Sequence, residues 1–129
     1  MGSLSRDKGK RGEREAAAEL TRLFGCEAHR GRQYKGTDES PDVTVDIAGV
    51  SIEVKRVETL SLYKAMQQAT HGAGCKLPLL LHRKNSKKWV AICWLDDLPN
   101  LAVKLYLTLA ANQGKTNDDD NENCEAAPL

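Results

Sequence analysis

The chain has 129 residues and a net charge of +1, with 40% hydrophobic and 29% charged residues. That length suits one domain with a real core. No apolar run approaches a membrane helix, no apolar leader of the secretory kind opens the chain, and Arg6 stands where a myristoylation signal needs Ser or Thr.

Residues 6–24 predict a basic amphipathic helix, with Ala16, Ala17, Leu20, Leu23 and Phe24 as its apolar stripe and Gly25 as its C-cap. Residues 25–41 read as a loop rich in glycine and charge. Residues 42–57 read as a β-hairpin, since apolar and polar side chains mostly alternate and Ala48-Gly49 is a turn signal. Ser61 marks the cap of a second helix that runs through Leu62, Ala65, Met66 and Ala69 and stops near Gly72–Gly74. Leu77–His82 is a buried strand, Arg83–Lys88 a basic turn, and Trp89–Trp94 another strand. Asp96 or Asp97 is expected to cap a last helix, with Pro99 in its first turn and Leu101, Leu105, Leu107 and Leu109 as its apolar content. The order is α-β-β-α-β-β-α, an α/β fold in which helices flank a small mixed β-sheet.

Charge is unevenly spread. Residues 1–112 hold 18 Lys+Arg and 13 Asp+Glu, whereas residues 113–129 hold one Lys and five acids. The first part is a basic domain, which favours a polyanionic partner. The second reads as an acidic, disordered tail that aids solubility or mimics nucleic acid. The four cysteines, Cys26, Cys75, Cys93 and Cys124, are scattered, as expected of reduced thiols in a cytoplasm.

The chemistry gathers in the hairpin. Glu53 and Lys55 are two residues apart and share a strand face, while Ile52 and Val54 point the other way. If the chain reverses at Ala48-Gly49, Asp42 lies across from Lys55, with Glu53 one step in. Two carboxylates held close repel each other unless a cation lies between them, and hard oxygen ligands suit Mg²⁺ or Mn²⁺. A Glu-x-Lys on a strand is also an ordinary solvated face, and Pro-Asp an ordinary turn. Cys26-x-x-His29 and His71-x-x-x-Cys75 offer a rival set of four zinc ligands, drawn from distant segments.

Lys8-Gly9-Lys10-Arg11-Gly12-Glu13-Arg14-Glu15 on a first helix is similar to the opening of archaeal-type Holliday junction resolvases. Those enzymes belong to the PD-(D/E)xK nuclease superfamily, whose signature Pro41-Asp42 and Glu53-Val54-Lys55 match in order and spacing. The resemblance covers about residues 5–95; the extended C-terminus beyond Trp94 departs from it.

It implies a restriction-endonuclease-like core and metal-dependent hydrolysis of DNA phosphodiesters. Asp42 and Glu53 are then metal ligands, with the Val54 carbonyl a third and Glu13 reaching in directly or through water. Mg²⁺ is the expected ion, with Mn²⁺ able to substitute. Lys55 would orient the attacking water or stabilise developing charge. Gln67 stands where the superfamily often has an accessory polar residue, with Gln68 equally near. Either Thr37 or Ser40 would be the functional hydroxyl of the preceding loop.

Arg11, Arg14, Arg30, Arg32 and Lys35 suit phosphate contacts, and Tyr34 suits stacking on an exposed base. The expected substrate is four-way DNA, cut symmetrically by a homodimer because one small domain with one site supplies two related cuts only by pairing. The alternatives are another endonuclease on the same core, nicking or restriction-like, and a non-catalytic DNA-binding module.

Overall fold

In the computed structural model, which describes residues 2–31 and 42–113, the alternating segment Val50–Lys55 is the central strand of a five-stranded mixed sheet. The elements in chain order are α1 (Gly2–Phe24), β1 (Ala28–Arg30), β2 (Val43–Val45), β3 (Val50–Lys55), α2 (Leu62–Ala73), β4 (Leu77–His82), β5 (Val90–Ile92), a one-turn 3₁₀ helix (Leu95–Asp97) and α3 (Leu98–Gln113). The strands lie side by side in sequence order. All neighbours are antiparallel except β3 and β4, which run parallel and are joined through α2. No helix among the described residues is long and apolar enough to cross a membrane.

The alternation of β3 divides the molecule. Val50, Ile52 and Val54 are buried on one face, against Ala16, Ala17 and Leu20 of α1 and Leu79 and Leu81 of β4. Ser51, Glu53 and Lys55 occupy the other face. There Leu80, the register partner of Glu53, packs on Ala65 and Met66 of α2. Fully burying Leu80 contributes about 2 kcal/mol and also dries the flank of Glu53. Trp94 closes that side, with its indole N–H donating to Thr70 Oγ1 at 2.8 Å and its ring centroid 6.3 Å from that of Tyr63.

Several expectations need correction. β1 forms within residues 25–41, where the sequence predicts a loop, because three residues are too few for a visible alternation. The turn does fall at Ala48-Gly49, with Val50 N–H donating to the Ile47 carbonyl and Gly49 at φ +80°. The strands nevertheless meet with Val43 opposite Ile52, while Asp46 extends the pairing of β2 with β1 through its N–H to the Glu27 carbonyl. That register places Asp42 opposite Glu53, not Lys55. The shift is an even one, so no side chain changes face.

The last strand covers only Val90–Ile92. Ser61 holds the cap position of α2 without a side-chain cap bond, and the helix ends within the expected Gly72–Gly74 stretch, at Gly74 with φ +61°. Asp96 and Asp97 lie within the 3₁₀ turn, and α3 follows directly. Leu23 and Leu107, expected in the core, are exposed. The α3 positions buried beside Leu101 are Thr108 and Asn112, whose side chains donate to the carbonyls of Lys104 and Thr108 on their own helix. Gln113, read as the first tail residue, still belongs to α3. The remainder of that tail lies outside the described residues.

Gly12 sets how closely α1 approaches β3. A Cβ there would stand 2.5 Å from the Arg56 Cβ and 2.9 Å from its Cγ, the rigid base of that side chain. Gly12→Ala should therefore destabilise the fold by about 1–3 kcal/mol through overpacking, although alanine in a helix normally gains about 1 kcal/mol over glycine. Urea unfolding measures the difference; a more stable variant would mean that α1 does not depend on this contact.

Candidate active site

One end of the sheet collects the chemistry. β1 and β3 end there and β2 begins there. Val43↔Ile52 is the last step at which β2 and β3 pair, and beyond it the Val54 N–H donates to Asp42 Oδ2 at 2.9 Å. A strand residue's N–H and C=O leave by the same edge, so the Val54 carbonyl faces the Asp42 side as well.

The Asp42 and Glu53 carboxyls interact side chain to side chain, an interaction that raises Glu53 and lowers Asp42. Burial pushes the Glu53 carboxyl up to about 7, and the Asp42 charge adds to the effect while Lys55 opposes it. Burial also raises Asp42, against the lowering influence of the Val54 N–H and of Lys55. Lys55 Nζ stands 3.9 Å from Glu53 Oε2, on the same strand face.

Glu13 comes from α1, on the opposite face of the sheet. Burial raises its carboxyl, and the charge on Asp42 adds to this; the Arg30 guanidinium pulls the other way. Arg30 Nε donates to Glu13 Oε1 at 2.8 Å, so this arginine of β1 is engaged with a carboxylate rather than free. Asp42, Glu53, Val54 and Lys55 thus lie together at this end of the sheet, with Glu13 near enough to feel the charge on Asp42 and paired with Arg30.

Other residues from the sequence reading stand apart. Arg11 and Arg14 are exposed on α1. Gln67 and Gln68 are exposed on α2, and neither takes part in the side-chain bonds found among the described residues. Arg32, Tyr34, Lys35, Thr37, Ser40 and Pro41 lie outside the described residues. The zinc reading fails: Cys26 is buried, His29, His71 and Cys75 are exposed, and no group of three or more His, Cys, Asp or Glu side chains among the described residues is assembled to hold a metal. That also applies to the acidic cluster, where Glu13 is drawn to Arg30 and leaves two carboxylates and a carbonyl edge. The donor set still fits a hard divalent cation, because two desolvated carboxylates are crowded together and repel each other.

A second constellation went unread in the sequence. Glu15 Oε1 accepts from Arg56 Nε and Arg83 Nη1, both at 3.2 Å, joining α1 to the ends of β3 and β4. Arg56 also donates to Asn85 Oδ1 at 2.9 Å. Glu58 accepts from the Asn85 N–H at 2.9 Å and from Lys8 Nζ at 3.3 Å. Only the Gly12-x-x-Glu15 spacing on α1 hinted at it.

Comparison with protein-family models, curated proteins and solved structures finds no match for this chain.

The proton on Glu53 makes stability depend on pH. The carboxyl is raised from an ordinary 4.5 to about 7, so between those values the folded chain holds a proton that the unfolded chain releases. The resulting stability is fully present below about pH 4.5 and is lost as pH rises through about 7. Glu53→Gln should match the wild type near pH 5 and exceed its stability by about 2 kcal/mol at pH 8. Urea titrations at both pH values test this; the same pH dependence in both proteins would show that Glu53 is not desolvated.

Proposed function

We propose that this chain is a metal-dependent DNA endonuclease on a restriction-endonuclease-like, PD-(D/E)xK core, acting on four-way DNA as a homodimer in the manner of archaeal-type Holliday junction resolvases. The observation that carries the reading is the Asp42–Glu53 pair, desolvated, interacting side chain to side chain, and followed on the same strand face by Lys55. A structural ion pair needs one acid and one base, whereas this site holds two acids against each other, an arrangement that suits ligation better than stability.

Asp42, Glu53 and the Val54 carbonyl would hold the divalent cation. When bound, such an ion lowers the pKa of its water and polarises a phosphoryl oxygen. The Val54 N–H fixes the direction of Asp42 before any ligand arrives. Lys55 offers its N–H groups at the site, where they can orient a water or stabilise charge developing on phosphate oxygen. Arg30 holds Glu13 beside the pair and can turn to a phosphate when DNA enters. Each chain brings one such carboxylate pair among its described residues, so paired cuts across a branch call for two chains related by a two-fold axis.

A second reading, a DNA-binding module with incidental carboxylates, is favoured by one observation: Glu13 is tied to Arg30 and no three-acid ligand group is preassembled.

The two readings separate in one set of measurements. The wild type with Mg²⁺ should cut a four-way junction at symmetric positions and bind it ahead of linear duplex of the same sequence. Asp42→Asn and Glu53→Gln should lose about 10²-fold or more of the rate while still binding. Mg²⁺ or Ca²⁺ should raise the melting temperature of the wild type but not of Asp42→Asn, with the apparent affinity for the ion increasing from pH 6 to 8 because it must displace the Glu53 proton. Binding without cleavage or thermal shift would establish the DNA-binding module. Scattered nicks in linear DNA would move the assignment to another endonuclease on the same core.

A further inference from the structure

We propose that the β4–β5 turn, Arg83–Lys88, is a DNA-phosphate contact held at a fixed distance from the carboxylate pair by Glu15 and Glu58, an inference that rests on the DNA-directed reading above.

The turn carries Arg83, Lys84, Lys87 and Lys88 in six residues and no acid. Its four cations divide into two kinds. Arg83 is engaged inward, through Nη1 to Glu15 Oε1 at 3.2 Å and through Nε to the Lys87 carbonyl at 2.6 Å. Lys84, Lys87 and Lys88 are exposed, and none of the three joins an ion pair among the described residues. Lysines that only solubilise a surface need no scaffold, whereas these sit on one that is bonded on every side. The Lys87 N–H closes the turn onto the Lys84 carbonyl at 3.2 Å, Ser86 takes the left-handed conformation at φ +63°, and Glu58 accepts the Asn85 N–H at 2.9 Å. Acids are thus placed behind the turn, and uncompensated positive charge is placed in front.

Its position suits the same partner as the carboxylate pair. β3 and β4 are parallel, so the turn leaves the sheet at the end where Glu53 and Lys55 stand. The Arg83 N–H donates to the Lys55 carbonyl at 3.2 Å, and Lys55 and His82 are register partners. The lysines therefore begin one strand over from Lys55, about 5–10 Å away. One DNA strand presents a phosphate about every 3.4 Å of axis, so the turn lies within reach of phosphates a few nucleotides from the bond held at the pair. Arg30, on the side away from the turn, is already engaged by Glu13, so the uncompensated positive charge beside the carboxylates is that of the turn. Cations set at a fixed step from the carboxylate pair suit a regular polyanion better than a peptide or a lipid surface.

The test is duplex binding by fluorescence anisotropy across a salt series, with EDTA present so that cleavage cannot interfere. Lys84→Ala/Lys87→Ala/Lys88→Ala should weaken binding and reduce the slope of log K against log salt by about 2–3. Lys76→Ala/Lys104→Ala, which removes lysines at the opposite end of the sheet, near Leu77 and Gly49, should leave the slope unchanged. Glu58→Ala, which removes the acceptor of the Asn85 N–H, separates anchoring from simple charge. Removing an acid near a DNA surface would tighten binding, whereas loosening the turn weakens it, and weaker binding is expected. A wild-type slope in the triple variant, an equal loss in the control pair, or tighter binding by Glu58→Ala overturns the proposal. Because binding is read without metal, an absence of cleavage would remove the nuclease reading and leave the turn standing, and a wild-type slope in the triple variant would do the reverse.

Discussion

The bond from the Val54 N–H to Asp42 Oδ2 is the joint on which this end of the molecule depends. Inside a sheet every backbone donor needs a partner, and one step past Val43↔Ile52 a carboxylate takes the place that a backbone carbonyl would otherwise hold. The substitution has two effects. It stops the β2–β3 ladder, so the strands part and Glu53 and Lys55 have open space before them. It also fixes the Asp42 carboxylate as a consequence of folding, independent of any ligand, directly beside Glu53. The crowding of two acids is therefore built into the strand geometry, and Leu80 with α2 behind Glu53 intensifies it by excluding water.

Charge is arranged around that joint in opposed pairs. On the β1 side Arg30 offsets Glu13; on the β4 side Glu15 offsets Arg56 and Arg83. Both glutamates come from one turn of α1, and both depend on Gly12, because only a residue without a Cβ lets the helix settle on Arg56. One glycine thus governs an acid that faces the carboxylate pair and another that anchors the opposite wall.

The parts of this arrangement that were legible in the sequence are those with a local period. Val50–Lys55 alternates strictly, so its two faces and the shared side of Glu53 and Lys55 could be read directly, as could the buried run Leu77–His82 and the helix through Ala65, Met66 and Ala69. The remainder depends on contacts between segments far apart in the chain. β1 is three residues long and exists because Glu27 and Gly31 bond to Asp46 and Asp42 across the sequence. The hairpin pairs two residues away from the register its turn signal suggests, with Val43 opposite Ile52, and no local signal reports that offset. Gly12 reads as a helix-weakening residue until Arg56 is seen against it. Leu101 and Leu105 share the four-residue spacing of a buried stripe, and that stripe continues to Thr108 and Asn112, whose polar side chains become burial-compatible by bonding to their own helix, so the apolar Leu107 lies off it and is exposed.

That last feature bears on how the molecule breathes. Thr108 and Asn112 direct their side-chain bonds along α3, not across to α1, so they tolerate burial without binding the helix to the sheet. Leu101, in the first turns, is the one large apolar side chain that α3 sinks fully into the core. An element held at one end by a single deep anchor opens at lower free energy than β3 or β4, whose buried residues lie along their whole length. Opening of the second half of α3 can run back toward Leu101 while the sheet end carrying Asp42, Glu53 and Lys55 stays closed. In hydrogen-exchange terms the amides of α3 belong to a separate, weaker unit than those that hold the carboxylate pair.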